Sequence, residues 1–156
     1  MTVVRPANQS DLDAVAAMAE ARRVRYEAFE PMFWKRRAGG AAMSRAFFAH
    51  LLSKPDNLFL VSEWGGAPNG FLIASPVPAP PVFDAGPTAV IDDFCVEDPA
   101  LWPIAGQGLL RAARAELKER GFKQIVVVSG FKDAEKRAFL ESEKLSLAST
   151  WWTAPV

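Results

Sequence analysis

Apolar residues along this chain change their spacing several times, and each change predicts an element. Thr2–Arg5 reads as a short strand stopped by Pro6. Leu12, Val15, Ala16 and Ala19 then recur at helical spacing, and Ser10 with Asp13 gives a capping-box-like start. That helix is expected to run to about Phe29, with Pro31 ending it. Gly39-Gly40 separates it from a second helix, where Met43, Phe47 and Leu51 fall on one face and His50 lies on or beside it. After the turn Pro55-Asp56-Asn57, Leu58–Trp64, Gly65-Gly66 and Gly70–Ser75 form a hairpin. The proline-rich stretch Pro76–Pro87 reads as an ordered loop, with Val82 and Phe83 expected to be buried. Thr88–Val96 is the next strand, and Leu109–Arg120 a helix packed through Leu110, Ala113 and Leu117 and closed by Gly121. Ile125-Val126-Val127-Val128 is an unbroken apolar run, expected to be buried on both sides with parallel pairing. Asp133–Glu143 predicts a last helix and Leu145–Thr153 a last strand.

The 156 residues form one domain, 1–156, with no internal repeat or low-complexity tract. Half the residues are hydrophobic, as in ordinary soluble proteins. Lysine plus arginine equals aspartate plus glutamate, 18 of each class, so global charge directs the chain to neither nucleic acid nor membrane. One cysteine, Cys95, excludes an internal disulfide, and Cys95 with His50 makes no cluster of metal ligands. The N-terminal run Met1–Pro6 has no signal-peptide plan, and the expected location is cytoplasmic.

Gly106-Gln107-Gly108 carries the most chemistry. Two glycines at a helix start leave backbone N–H groups bare for a phosphate, and the helix dipole adds attraction. A Rossmann fingerprint would need a third glycine at Arg111, and a P-loop would need a Gly-Lys-Ser/Thr ending; neither is present.

With its flanks, this segment resembles the GNAT superfamily of N-acetyltransferases. Gly106 and Gly108 meet the last two fixed positions of that family's Gln/Arg-x-x-Gly-x-Gly/Ala arm, while Pro103 stands at the first. Ile91-Asp92-Asp93-Phe94-Cys95-Val96 is similar to the Leu-Glu-Asp-Phe-Phe-Val central strand of polyamine N-acetyltransferases, and Arg137–Glu141 resembles the late-helix Phe-Tyr-Glu signature. The resemblance implies an α/β fold of order β-α-α-β-β-β-α-β-α-β, with a mixed, mostly antiparallel sheet flanked by helices. The chain departs from the pattern at Pro103, at Leu140 in place of the tyrosine and at Lys144 in place of a glycine. It also has a longer stretch between Val96 and Gly106 and a short end after Leu145. The short end leaves an open sheet edge, which a homodimer would cover.

What the resemblance implies about chemistry falls on named positions. Acetyl-CoA is the expected cosubstrate, its pantetheine against the backbone of Phe94, Cys95 and Val96. Its pyrophosphate is expected on Ala105, Gly106, Gln107, Gly108 and Leu109, with Arg111 or Lys132 nearby and Asp133 near the cofactor or capping the last helix. No metal and no covalent intermediate are expected. The acceptor is a primary amine of a small molecule or peptide, and Asp92 or Asp93 is the general base that takes its proton. Strict alternation places Asp92 with Val90, Phe94 and Val96, and Asp93 with Ile91 and Cys95. Leu140 cannot serve as the family's acid, and Ser142 is a weak substitute. Tyr26, Phe29, Phe33 and Trp34, interleaved with Arg22, Arg23, Arg25, Lys35, Arg36 and Arg37, form one wall of the acceptor site, and Phe83 and Asp84 the other. Cys95 reads as buried filler. The competing reading is a non-catalytic acyl-CoA-binding or sensory domain that has lost turnover.

Overall fold

The computed structural model describes residues 1–156. One five-stranded sheet runs in the order β1 (Val3–Pro6), β2 (Leu58–Trp64), β3 (Ala67–Val77), β4 (Thr88–Val96), β5 (Gln124–Val127). All pairs are antiparallel except β4–β5, which is parallel, so the sheet is mixed and mostly antiparallel as expected. Helices α1 (Leu12–Phe29) and α2 (Gly40–Leu52) cover one face, where Leu12, Val15 and Phe48 pack on Phe59, Phe71 and Cys95. Helices α3 (Gln107–Glu119) and α4 (Ala134–Ser142) cover the other, where Leu109, Leu110, Ala113 and Phe139 meet Leu60, Leu72, Ile91 and Phe94. No helix is long and apolar enough to cross a membrane.

Several boundaries differ from the sequence reading, each for a local reason. The turn before α1 is capped by Asn8 and Asp11 rather than Ser10 and Asp13. Asn8 accepts from the Ser10 N–H at 2.9 Å, and its own N–H donates to Asp11 at 2.8 Å, while Arg5 donates two bonds to the same carboxylate. On α2 the buried row is Ser44 and Phe48. Met43 and Phe47 are about half exposed, and His50 is on the surface. Strand β3 continues through Pro76 to Val77, opposite Val90 to Thr88, and the loop beyond leaves Val82 and Phe83 exposed instead of buried.

Strand β5 is not buried on both sides. It is the last strand of the sheet, and its residues alternate between exposed and half-buried because only one face is covered. No strand forms after Leu145. Residues 145–156 have no regular secondary structure, and Trp151 and Trp152 are largely exposed. Gly121 closes α3 as expected, at φ +88°, with the Phe122 N–H donating to Leu117 O at 3.0 Å.

Candidate acceptor and cofactor site

The sheet parts where β4 outruns β5. Their pairing runs from Thr88–Gln124 to Ile91–Val127, followed by a last bond from the Val128 N–H to Ile91 O at 3.0 Å. The remainder of β4, Asp92–Val96, has no neighbouring strand on that side.

A bulge lies at the parting. Across from β3, Ile73 faces Asp93 and Ala74 faces Ile91, so Asp92 is the extra residue. A bulge bends its strand and sharpens the local twist, which carries the end of β4 away from β5. It also resets the faces. Ile91, Phe94 and Val96 share the core against α3 and α4, while Cys95 and the Arg22-bound Asp93 turn toward α1. The expectation that Asp92 shares Phe94's face is therefore corrected, because strict alternation does not survive an inserted residue. Asp93 accepts from Arg22 Nη2 at 2.6 Å, with both side chains largely buried. Asp92 is exposed and lines a cavity.

Lys136, in the first turn of α4, spans the gap. Its Nζ donates to Phe94 O at 2.9 Å and to Val128 O at 3.0 Å, joining the two strands where they stop pairing. The side chain is 1% exposed and has no carboxylate partner. Nζ also sits 5.5 Å from the Phe94 ring centroid and 5.8 Å from that of Trp102. Burial pushes its pKa down to about 8, and the nearby Arg22 charge acts in the same direction, against weaker opposition from Cys95, Asp133 and Asp93. Sequence reading passed over this lysine, although its spacing of three and four from Phe139 and Leu140 puts it on the buried face of α4.

A measurable consequence follows from the sign of that shift. The folded chain releases this proton near pH 8, the unfolded chain near its ordinary value of ~10.4, so between them the unfolded state binds more protons and stability rises with pH. From pH 7.5 to 9.5 the gain is about 2 kcal/mol, or roughly 5 °C in Tm for a domain of this size. The raised Cys95 and Tyr26 pKa values act in the opposite direction over this range in both proteins, so the Lys136 contribution is read as the Tm of the wild type minus that of Lys136→Met, which should grow by this amount from pH 7.5 to 9.5. A difference that stays constant over this range would contradict the assignment.

The Gly106–Gly108 segment is not the open loop that the sequence suggested. Asp98 caps a short 3-10 turn, Pro99–Leu101, which runs directly into a π-helical turn, Trp102–Gly106, and then into α3. Gly106 is itself helical, at φ −60° and ψ −47°, and the Gln107 N–H is bonded to Trp102 O and Ile104 O. The Trp102 indole lies so close to Gly106 that an added Cβ would stand 2.5 Å from its ring. The glycine is thus explained by packing. Trp102 also stacks on Phe139, with centroids 5.0 Å apart, and meets Phe94 edge-on at 4.9 Å. A groove of about 320 Å³ remains between the turn before α3 and the length of α4, and Glu135 and Glu143 line it. Arg111 is exposed on α3.

Asp133 is buried and structural in its contacts. It accepts from the Lys136 N–H as the α4 N-cap and from the Tyr26 hydroxyl at 2.7 Å, while Tyr26 receives the Gly130 N–H at 3.3 Å. This joins α1 to the β5–α4 turn. Burial and the Asp133 hydrogen bond both raise the Tyr26 pKa, so the phenol stays protonated. Lys132 donates to Phe29 O at 2.9 Å, and the Cys95 thiol is buried, with its pKa raised by burial.

A cavity of about 780 Å³ opens on the α1–α2 side of the parting. Tyr26, Phe33, Trp34, Met43 and Phe47 supply its apolar lining, Asp92 comes from β4 and Lys136 from α4, and Lys35, Arg37 and Gly40 come from the segment that leads into α2. Of the residues expected on the acceptor wall, Tyr26, Phe33 and Trp34 line this cavity. Phe29, Phe83 and Asp84 do not line the cavity.

No family model matches this chain, and no curated protein matches it in sequence. Solved structures do match in fold. The BH1408 protein of Bacillus halodurans superposes with a TM-score of 0.85 at 15% identity, over 99% of each chain. A predicted acetyltransferase from Clostridium acetobutylicum, solved with acetyl-CoA, gives 0.74 at 14% identity, over 99% of this chain and 96% of that one. A GCN5-related N-acetyltransferase from Ralstonia eutropha gives 0.69 at 24% identity, over 100% and 99%. The chain has the GNAT acetyltransferase fold.

Proposed function

We propose that this protein is an acetyl-CoA-dependent N-acetyltransferase, acting directly on a primary amine of a small molecule or peptide with both substrates bound together. The observation that carries this reading is the free edge of β4 beyond Ile91, placed beside a cavity that Asp92 lines. Asp92 takes the proton of the attacking amine, directly or through water, since an ammonium has no lone pair to attack with. Asp93 holds Arg22 and the α1 side of the site in place. The Val96 N–H is a donor for a polarised carbonyl.

The residues fit the acyl end of acetyl-CoA better than its diphosphate end. Along Phe94, Cys95 and Val96 the backbone edge is free of a strand, with Phe94 O held by Lys136. At Ala105–Leu109 the chain is wound into helix under Trp102. Binding there requires the turn before α3 to loosen and Lys136 to release Phe94. When bound, acetyl-CoA supplies the activated acetyl group; the chain itself supplies position, a proton acceptor and exclusion of water.

That same packing favours a second reading, a GNAT-fold domain that binds a ligand in the cavity without transferring an acetyl group. Calorimetry with acetyl-CoA, together with CoA-thiol release over a panel of amino acids, aromatic amines, polyamines and aminoglycosides, separates the two. Acetyl-CoA binding with release on at least one amine supports transfer. No release on any amine supports the second reading.

A further inference from the structure

The charges lining the cavity do not cancel. Arg22, Arg23, Lys35, Arg36, Arg37 and Lys136 face it, against Glu20 and Asp92. Most of these cations are already committed. Arg22 is bonded to Asp93 at 2.6 Å, Arg23 reaches Glu20 and Ser44, and Arg36 reaches Glu20 at 3.0 Å and Glu27 at 3.3 Å. Lys35, Arg37 and Lys136 have no carboxylate partner, and among the lining acids only Asp92 is left without a cation. The α2 N-terminus stands in the same wall, through Gly39, Gly40 and Ala41, and no side chain caps it. The Gly40 N–H is taken by Arg37 O at 3.0 Å, and the N–H groups that follow it in the first turn, with the positive end of the helix dipole, add to the attraction for an anion.

The apolar lining completes the pattern. Met43 and Phe47 form the row of α2 that stays off the core, each about half exposed, and Phe33 packs edge-on against Trp34 at 4.9 Å. These residues present apolar surface to whatever enters the cavity beside its charged groups.

We infer that the cavity takes a small zwitterionic ligand: an amine that meets Asp92, an apolar or aromatic middle against Phe33, Trp34, Met43 and Phe47, and a carboxylate or phosphate held by Lys35, Arg37 and the start of α2. As a substrate class this rests on the acetyl-transfer reading; as a binding class it stands without it. An anion at that end is stabilised by charge-assisted bonds to lysine and arginine, and ionic strength weakens the part that is open to water.

Matched probes test this by calorimetry on the full chain. L-phenylalanine and phenethylamine differ by one carboxylate, and O-phosphoethanolamine carries a phosphate with no aromatic middle. Phenylalanine should bind at least tenfold more tightly than phenethylamine, and added salt should narrow the gap. Lys35→Gln with Arg37→Gln should remove most of that tenfold preference while leaving the phenethylamine affinity within about twofold; both residues are exposed, so folding is not at stake. Tighter binding of O-phosphoethanolamine than of phenylalanine, despite its lack of an aromatic middle, supports the inference with phosphate as the anion. Equal or tighter binding of phenethylamine in the wild type overturns the inference, as does an unchanged preference in the double variant or binding of none of the three. Anion-dependent binding without acetyl transfer to any amine defeats the enzymatic proposal alone.

Discussion

Arg22→Met is expected to lower the Tm by roughly 10 °C. The substitution leaves the Asp93 carboxylate, now bonded at 2.6 Å in a largely buried pair, without its only ion-pair partner. Removing one member of such a pair costs ~3–5 kcal/mol, because the surviving charge keeps its desolvation penalty and loses its compensation. At ~2–4 °C per kcal/mol for a domain of this size, that loss is easily read in a thermal melt. Replacing both partners, as Arg22→Met with Asp93→Leu, should recover most of the loss, since the penalty disappears with the charge. A single variant that melts within 2–3 °C of the wild type, about the effect of 1 kcal/mol, would mean that the pair is not buried as described.

Asp92→Asn is expected to lower amine-dependent CoA release by about 10²–10³-fold at neutral pH, the range for loss of a positioned general base. The amide is close in size and cannot accept a proton, so acetyl-CoA affinity should change little. Asp93→Asn addresses the other carboxylate. It should cost stability through Arg22, and among correctly folded molecules its rate should stay within about tenfold of wild type. Equal rates for Asp92→Asn and wild type across the pH range would remove Asp92 from the mechanism.

Much of this architecture is legible in the residues, and the failures share a cause. Leu58–Trp64 and Thr88–Val96 are read to the residue, because alternation and flanking turn residues define strands sharply. Helices α1, α3 and α4 follow from apolar spacing, and Asp133 is correctly placed as a cap. The bulge at Asp92 is invisible to alternation, since an extra residue has no signature apart from the partner strand it fails to match. Asp92 is still singled out by its charge in an apolar strand, although the face assigned to it was wrong. Gly106 and Gly108 look like a bare anion loop until Trp102 is placed. Only the fold brings an indole from four residues upstream over Gly106, which gives that glycine a packing reason the residue pattern does not show.

Lys136 shows the same limit from the other side. Its helix has buried positions at Phe139 and Leu140, three and four residues on, so the spacing puts Lys136 on the buried face, but a charged side chain there gives no reason for its burial. It is buried because the parted strands leave two carbonyls facing α4 with no N–H to meet them. Met43 and Phe47 follow a similar logic. They look like a core face, yet Phe48 takes that role and they are left for the cavity.

The central claim is that the gap between β4 and β5 receives the acyl arm of acetyl-CoA. A crystal structure of the chain grown with CoA tests it most directly. The account predicts density beside Phe94–Val96, Lys136 Nζ withdrawn from Phe94 O and the turn at Trp102–Gly106 loosened around the diphosphate. A structure at saturating CoA in which Lys136 still bridges Phe94 and Val128, with Trp102 seated on Gly106 and no ligand between the strands, would contradict it.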